Sequence, residues 1–406
     1  MSLEKLLVYR LQNGVQHYLW GDGRFIPDLL GLDNSEKKSY AELWMGAHPK
    51  MASTILLEEE NSAMPLDQFI ARDLHFSLGG QVIQNFDHLP FLFKVLSASQ
   101  PLSIKVHPDK KLAEEGFLKE EADGILIDAF NRTYKDQNHK PEILCALTDF
   151  KALRGFREIP SILELVNLSN SPSLKTIAKV LLDENLSQWD RLKAFFIQLI
   201  HMDDTNSKLL VDEVLDSSKN VDNEVFYWVR KLASIYPGDS GALAPIYLNL
   251  FHLLPGEAFA LKAGVLHCYL EGAAIELEAS SDNEVRGGLT QKHIAKNELL
   301  KMVCFASTSP KVIYPTGVGS EKFYETPFLE FCLSRIVLDG QCTLSSPLMA
   351  SILICIKGSA TIGDIELKQG QSVFLPTQKA VATLDGNGIF FRATVPDQNK
   401  EKTNFD

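Results

Sequence analysis

The chain has 406 residues, 45% of them hydrophobic and 23% charged, a balance that excludes a disordered or fibrous protein, and its length exceeds one ordinary hydrophobic core, so two or three domains are expected. A formal net charge of −12 excludes a general nucleic-acid or anionic-membrane surface, because phosphate groups attract basic patches. No run of about 18 uncharged apolar residues occurs, and Met1 to Gln12 carries Glu4, Lys5 and Arg10 inside a short apolar run, unlike a signal peptide, so a cytoplasmic location is the expectation.

Up to residue 107 the chain reads as mixed structure, with strands at Met51 to Leu57 and Leu89 to Leu96. From Leu102 to His107, Leu102, Ile104 and Val106 alternate with Ser103, Lys105 and His107. A strand here puts three polar side chains on one face, which an ordinary apolar core cannot accept. Between Ile159 and Ile235 the period changes. Leu192, Phe195, Phe196 and Leu199 follow helical spacing, with Ser187 and Asp190 placed for a capping box. Val225, Trp228, Val229 and Leu232 repeat the pattern after Asp222 and Asn223, so a helical domain or insertion is expected. After Pro237 and Gly238, strands resume with the turn Leu254-Pro255-Gly256-Glu257, the run Ala258 to Leu261 and the alternating Ile275, Leu277 and Ala279. A further block, Ser351 to Pro376, reads as a strand to Ile356, turns at Lys357-Gly358 and Gly363-Asp364, and a strand from Ser372 to Leu375. Such spacing suits a hairpin-built barrel or jelly roll. The polar end, Asp397 to Asp406, is expected to fray.

Cys145, Cys268, Cys304, Cys332, Cys342 and Cys355 form no CxxC pair and read as free thiols. The Gly317-Val318-Gly319 stretch lacks the third glycine and following helix of a dinucleotide fingerprint. Three segments are richer in chemistry: Ser103 to Asp109 with His107, Asn138-His139-Lys140-Pro141-Glu142, and His267 followed by Glu276, Asp282 and Arg286. A lone strand histidine is more often structural than a ligand. Together, however, these segments supply two imidazoles and a carboxylate, a common catalytic zinc set with room for water or substrate. Such a set suits an aldose–ketose isomerase, in which a proton leaves the carbon beside a carbonyl and a divalent cation stabilises the resulting enediolate.

Phe91 to Leu96, Pro101 to Ile104, Val106-His107-Pro108-Asp109-Lys110, Asn138 to Glu142, and Ser281-Asp282-Asn283 through Arg286-Gly287-Gly288-Leu289-Thr290 resemble the type I mannose-6-phosphate isomerases. Tyr18 to Gly21 and Ala41 to Pro49 resemble further segments of that family. The resemblance implies a mainly β fold, a double cupin of jelly-roll barrels with an α-helical insertion. It divides the chain into residues 1–157 as the first part of a catalytic cupin region, 158–240 as the helical insertion, 241–310 as the remainder of the catalytic cupin, and 311–406 as a second, metal-free barrel. It also implies one Zn2+ per chain held by His107, Glu142 and His267, a phosphorylated hexose substrate, and Arg286 holding or polarising it. A monomer with no nucleic-acid or membrane partner is expected.

One position departs from the family pattern. Lys105 stands where the family has Gln as a fourth ligand, and an ammonium has no lone pair to donate. Three outcomes stay open: water replaces the ligand, Lys105 turns to the phosphate, or metal affinity has fallen. Glu276, Asp282, His139 and Lys140 are candidates for the base, and Arg286 and Lys140 for gripping phosphate or sugar oxygens. Trp20, Lys94, Ser103, Lys105 and His139 are expected to contact substrate, with Glu42, Trp44 and His48 of similar standing. The competing expectation is a non-catalytic cupin that binds a sugar phosphate at a weakened metal site.

Overall fold

The computed structural model describes residues 5–57, 61–309, 311–345 and 348–396; the tail from Asp397 lies outside them. The architecture is mostly β-sheet with helices, arranged as two large antiparallel sheets. The ten-stranded sheet runs Leu248–Leu253, Phe150–Phe156, His267–Ala279, Phe91–Ala98, Glu42–Gly46 and Gly14–Gln16, with Ala258–Leu261, Glu142–Ala146, Ile104–Val106 and Val285–Gly288 branching from that path. Its centre is the 13-residue strand His267–Ala279, which pairs with four others.

The nine-stranded sheet takes most of its strands from the C-terminal part of the chain, with Cys332–Thr343, Thr383–Thr394, Ser351–Ile362 and Ser372–Leu375 side by side. The next strand is Tyr9–Gln12, which sits between Ser372–Leu375 and Thr54–Leu57. Residues 1–157 thus contribute to both sheets. The expected turn at Lys357-Gly358 is not one. Ser351–Ile362 runs straight through it, the register shifting between Cys355 and Lys357. Gly358, at φ 86°, absorbs this bulge, a conformation glycine adopts without steric cost. The reversal falls at Gly363-Asp364, where Ile362 faces Ile365.

The helices lie where the period predicts them. Gln188–Ile200 starts at Ser187, whose hydroxyl oxygen accepts the Asp190 N–H, and Glu224–Ile235 starts at Asn223, whose side chain accepts the Val225 N–H. Each cap contributes about 1 kcal/mol. The apolar stripe of Leu192, Phe195, Phe196, Leu199, Trp228 and Leu232 shares one core with Ile104, Val106, Leu266, Cys268 and Val285. Those five residues, four in strands and Leu266 just before one, alternate with Lys105, His267 and Arg286. The helical layer therefore buries one face of the strands whose other face is polar. No helix among the described residues is long and apolar enough to cross a membrane.

Candidate metal centre and substrate cavity

The polar faces of these strands line a cavity of about 910 Å³. Of the residues expected to matter, Trp20, Lys94, Ser103, Lys105, Lys140, Glu142, His267, Glu276, Asp282 and Arg286 all border it. His107 is buried and does not itself line the cavity; it follows the short strand Ile104–Val106 and meets the lining residue Glu142.

His107, Glu142 and His267 converge, with candidate ligand atoms all within 4.8 Å of one another. His107 Nδ1–H donates to the Asn283 carbonyl at 2.6 Å and His267 Nδ1–H to the Val265 carbonyl at 3.0 Å. A carbonyl only accepts, so both rings carry a proton on Nδ1, and in the neutral ring it is Nε2 that presents a lone pair. These lone pairs face the Glu142 carboxylate, His107 Nε2 at 3.1 Å from Oε1 and His267 Nε2 at 3.8 Å from Oε2. His107 Nε2 is buried without a hydrogen-bond partner. Burial pushes His267 down to about 4, so its ring is neutral at neutral pH. Burial alone would raise the Glu142 carboxyl, but positive charge beside it, that of Lys140 Nζ at 3.7 Å included, holds it well below the usual carboxylate range. Two imidazole lone pairs and an anion, buried and turned toward one another, are mutually repulsive unless a cation lies between them. The donor set fits zinc.

How one strand supplies both His267 and Glu276 depends on a bulge. Side chains nine positions apart fall on opposite faces of a regular strand. In His267–Ala279 the register against Phe150–Phe156 shifts between Tyr269 and Glu271, with Gly272 at φ 116°. The phase is thereby reset. His267 and Tyr269 face the cavity before the bulge, and Glu276 and Glu278 face it after.

Beyond the bulge, Lys94 sits opposite Glu276 in the ladder and is gripped by Glu278 at 2.8 Å and Glu276 at 3.3 Å. Desolvation would lower the Lys94 ammonium, yet Glu278 and Glu42 raise it well above its ordinary value. It is therefore a fixed cation. Glu276 goes the other way: burial, only partly offset by Lys94, pushes it up to about 7. Lys140 completes the network at 3.1 Å from Glu278 and 3.7 Å from Glu142. Glu142, Glu276 and Glu278 also form a tight carboxylate group, but Lys94 and Lys140 already set two positive charges against it.

At the cavity's other side, Arg286 Nη2 donates to Glu284 Oε1 at 2.6 Å, and Lys105 Nζ reaches Glu284 Oε2 at 2.5 Å. Asp282 is paired with Lys50 at 2.9 Å and lies 3.6 Å from His48. His139 is not brought to this cavity. Lys140 and Glu142 alternate inward, so His139 points away and its Nε2 meets Glu330 Oε1 at 2.6 Å in a second cavity of about 230 Å³.

Sequence reasoning missed Tyr269, Glu278 and Glu284. Tyr269 donates its hydroxyl proton to Glu142 Oε2 at 3.1 Å. Each of the three lies two residues from a residue already singled out, so strand alternation was the available signal.

Residues 8–159 match the family described as phosphomannose isomerase type I, catalytic domain. The chain is 38% identical over 395 residues to the mannose-6-phosphate isomerase of Escherichia coli (strain K12), covering 94% of this chain and 98% of that one. It is 33% identical over 429 residues to the mannose-6-phosphate isomerase of Rattus norvegicus, covering 95% and 98%. Among solved structures, a zinc-bound mannose 6-phosphate isomerase superimposes with a TM-score of 0.87 at 36% identity, over 96% of this chain and 99% of that one. The Salmonella typhimurium enzyme bound to fructose 6-phosphate and zinc matches with the same TM-score, identity and coverage.

Proposed function

The chain belongs to the type I phosphomannose isomerases, and from that premise we propose that it interconverts D-mannose 6-phosphate and D-fructose 6-phosphate as a zinc-dependent aldose–ketose isomerase. His107, Glu142 and His267 would hold the metal, one per chain. The observation that carries the reading is the pair of buried imidazoles, each donating its Nδ1–H to a backbone carbonyl and turning its Nε2 toward Glu142. When bound, zinc supplies Lewis-acid stabilisation of the negative charge that builds on the sugar oxygens.

The chain's own groups carry the proton. Isomerisation moves one between C2 and C1 through a cis-enediol, so a base must deprotonate near neutrality and return the proton to the adjacent carbon. Glu276 meets that need, with its carboxyl raised to about 7 in a cavity shared with the metal group. Asp282, already paired with Lys50, is the weaker candidate. Lys94 and Lys140 hold the surrounding carboxylates in place and offer donors to substrate oxygens. Arg286, with Ser103 and Trp20 nearby in the cavity wall, would orient the phosphorylated sugar.

The ten-stranded sheet with its ligand set, and the nine-stranded sheet, support a double-cupin reading with blocks 1–157, 158–240, 241–310 and a metal-free 311–406, the strand Tyr9–Gln12 crossing from the first block to the last. We also place the protein in the cytoplasm as a monomer, in keeping with its acidic charge and free thiols. The non-catalytic binder is the disfavoured alternative, because all three ligand positions hold competent donors around an inward-facing lone pair. The test is turnover: purified protein should carry about one zinc per chain and form fructose 6-phosphate, losing both with a chelator and regaining both with zinc. Full zinc occupancy without turnover would sink the assignment.

A further inference from the structure

Lys105 stands directly opposite two residues in the antiparallel ladder, His267 on one side and Arg286 on the other. Residues facing each other across such a ladder project to the same side of the sheet, with Cβ atoms about 4.5–5.5 Å apart. The Lys105 ammonium is therefore delivered to the face that carries a metal-group imidazole. It has three N–H donors and no lone pair, so it cannot ligate a cation, and its charge opposes one. Arg286 adds a second fixed positive charge on the same face.

Glu284 offsets both. One of its oxygens takes Lys105 Nζ at 2.5 Å and the other takes Arg286 Nη2 at 2.6 Å. This is the ion pair Lys105 makes among the described residues; Lys140, not Lys105, reaches Glu142. The carboxylate is partly buried, with its side chain 17% exposed, so water screens the trio only weakly. Without Glu284 the trio would carry two positive charges beside the metal group, and Lys105 would be free to swing toward Glu142 and occupy the carboxylate as an internal cation.

We propose that Glu284 is a positioning residue for the metal centre: by bridging Lys105 and Arg286 it tethers the ammonium away from His107, Glu142 and His267 and cancels its charge there, so that three protein ligands suffice. This rests on the zinc reading above, and it accounts for how a lysine is tolerated two residues before a ligand histidine. Of the three outcomes left open for Lys105, it selects the first, because an ammonium already tied to Glu284 is neither a ligand nor a free phosphate partner.

The experiment is zinc affinity of the full-length protein, by competition with a chromophoric chelator, with no substrate present. Glu284→Gln should weaken zinc binding about 10- to 100-fold, the range for losing a group that supports a metal ligand. Lys105→Met should bind at least as tightly as the unaltered chain. The double substitution Lys105→Met/Glu284→Gln should fall within about tenfold of Lys105→Met, any shortfall set by the Arg286 charge left unpaired, because Glu284 acts chiefly through Lys105. That last comparison stands even where Glu284→Gln alone folds poorly. Glu284→Gln binding zinc like the unaltered chain overturns the proposal, and so does a double variant much weaker than Lys105→Met. If the unaltered chain binds no zinc, the metal reading fails and takes this inference with it; if it binds zinc normally and only the variants disagree, this inference fails alone.

Discussion

Glu276 is subject to opposed influences: burial and neighbouring carboxylates raise its pKa, while Lys94 at 3.3 Å lowers it, and the balance leaves it at about 7. Only the carboxylate form can accept a proton, so kcat/KM should rise with pH along an acid limb and level off once Glu276 is ionised. Bound zinc favours the ionised form, which sets that limb at or below about 7. Glu276→Gln should lower kcat by about 10²- to 10⁴-fold and remove the limb while leaving zinc content unchanged. A variant that keeps the limb assigns the base elsewhere. The convergence of His107, Glu142 and His267 was legible in the sequence because ligand chemistry needs particular residue types in recognisable motifs. Glu278 and Glu284 were not, because a neutralising carboxylate is defined by what it faces across the sheet, and Lys94 and Lys105 find them only through the ladder.

At the scale of the element, the strand His267–Ala279 depends on its bulge. A Cβ added at Gly272 would lie 2.5 Å from the Asp149 carbonyl oxygen and 2.9 Å from Phe150 Cα, backbone atoms that cannot give way, at a φ of 116°. Gly272→Ala should destabilise the protein by about 1–3 kcal/mol in thermal unfolding. It should also lower activity on the order of 100-fold, because the bulge sets the spacing between His267 and Glu276. Gly319→Ala, also at positive φ but with nothing near its added Cβ, should cost only the backbone strain and leave activity intact. Equal activity losses in the two variants would detach the bulge from the site. The alternation of Ile275, Leu277 and Ala279 was readable, as was Glu276 between them. The bulge was not, since a glycine in a strand reads the same whether it marks a bulge or a turn. The same ambiguity misplaced a turn at Gly358.

Across the molecule, one apolar cluster joins the two sheets: Leu43, Phe91, Phe93, Val95 and Ile275 from the first pack with Ile352, Phe374, Phe391 and Ala393 from the second. The strand-rich block around Ser351 was legible from its hairpin spacing. That its sheet continues into Tyr9–Gln12 was not, since no local pattern encodes a partner at the opposite end of the chain. Phe374 is fully buried and lies in this shared core. Phe374→Ala should cost about 3–5 kcal/mol, and unfolding of the metal-free protein should remain a single transition, with both sheets lost together in calorimetry. An early transition that spares the zinc-binding region would show two independent units. Because Tyr9–Gln12 pairs with Ser372–Leu375, the earlier strand leaves the ribosome well before its partner and waits for it. At about 5–20 residues per second that wait lasts on the order of tens of seconds. Throughout it, the nascent chain carries an unmatched strand edge that a holding chaperone is suited to shield.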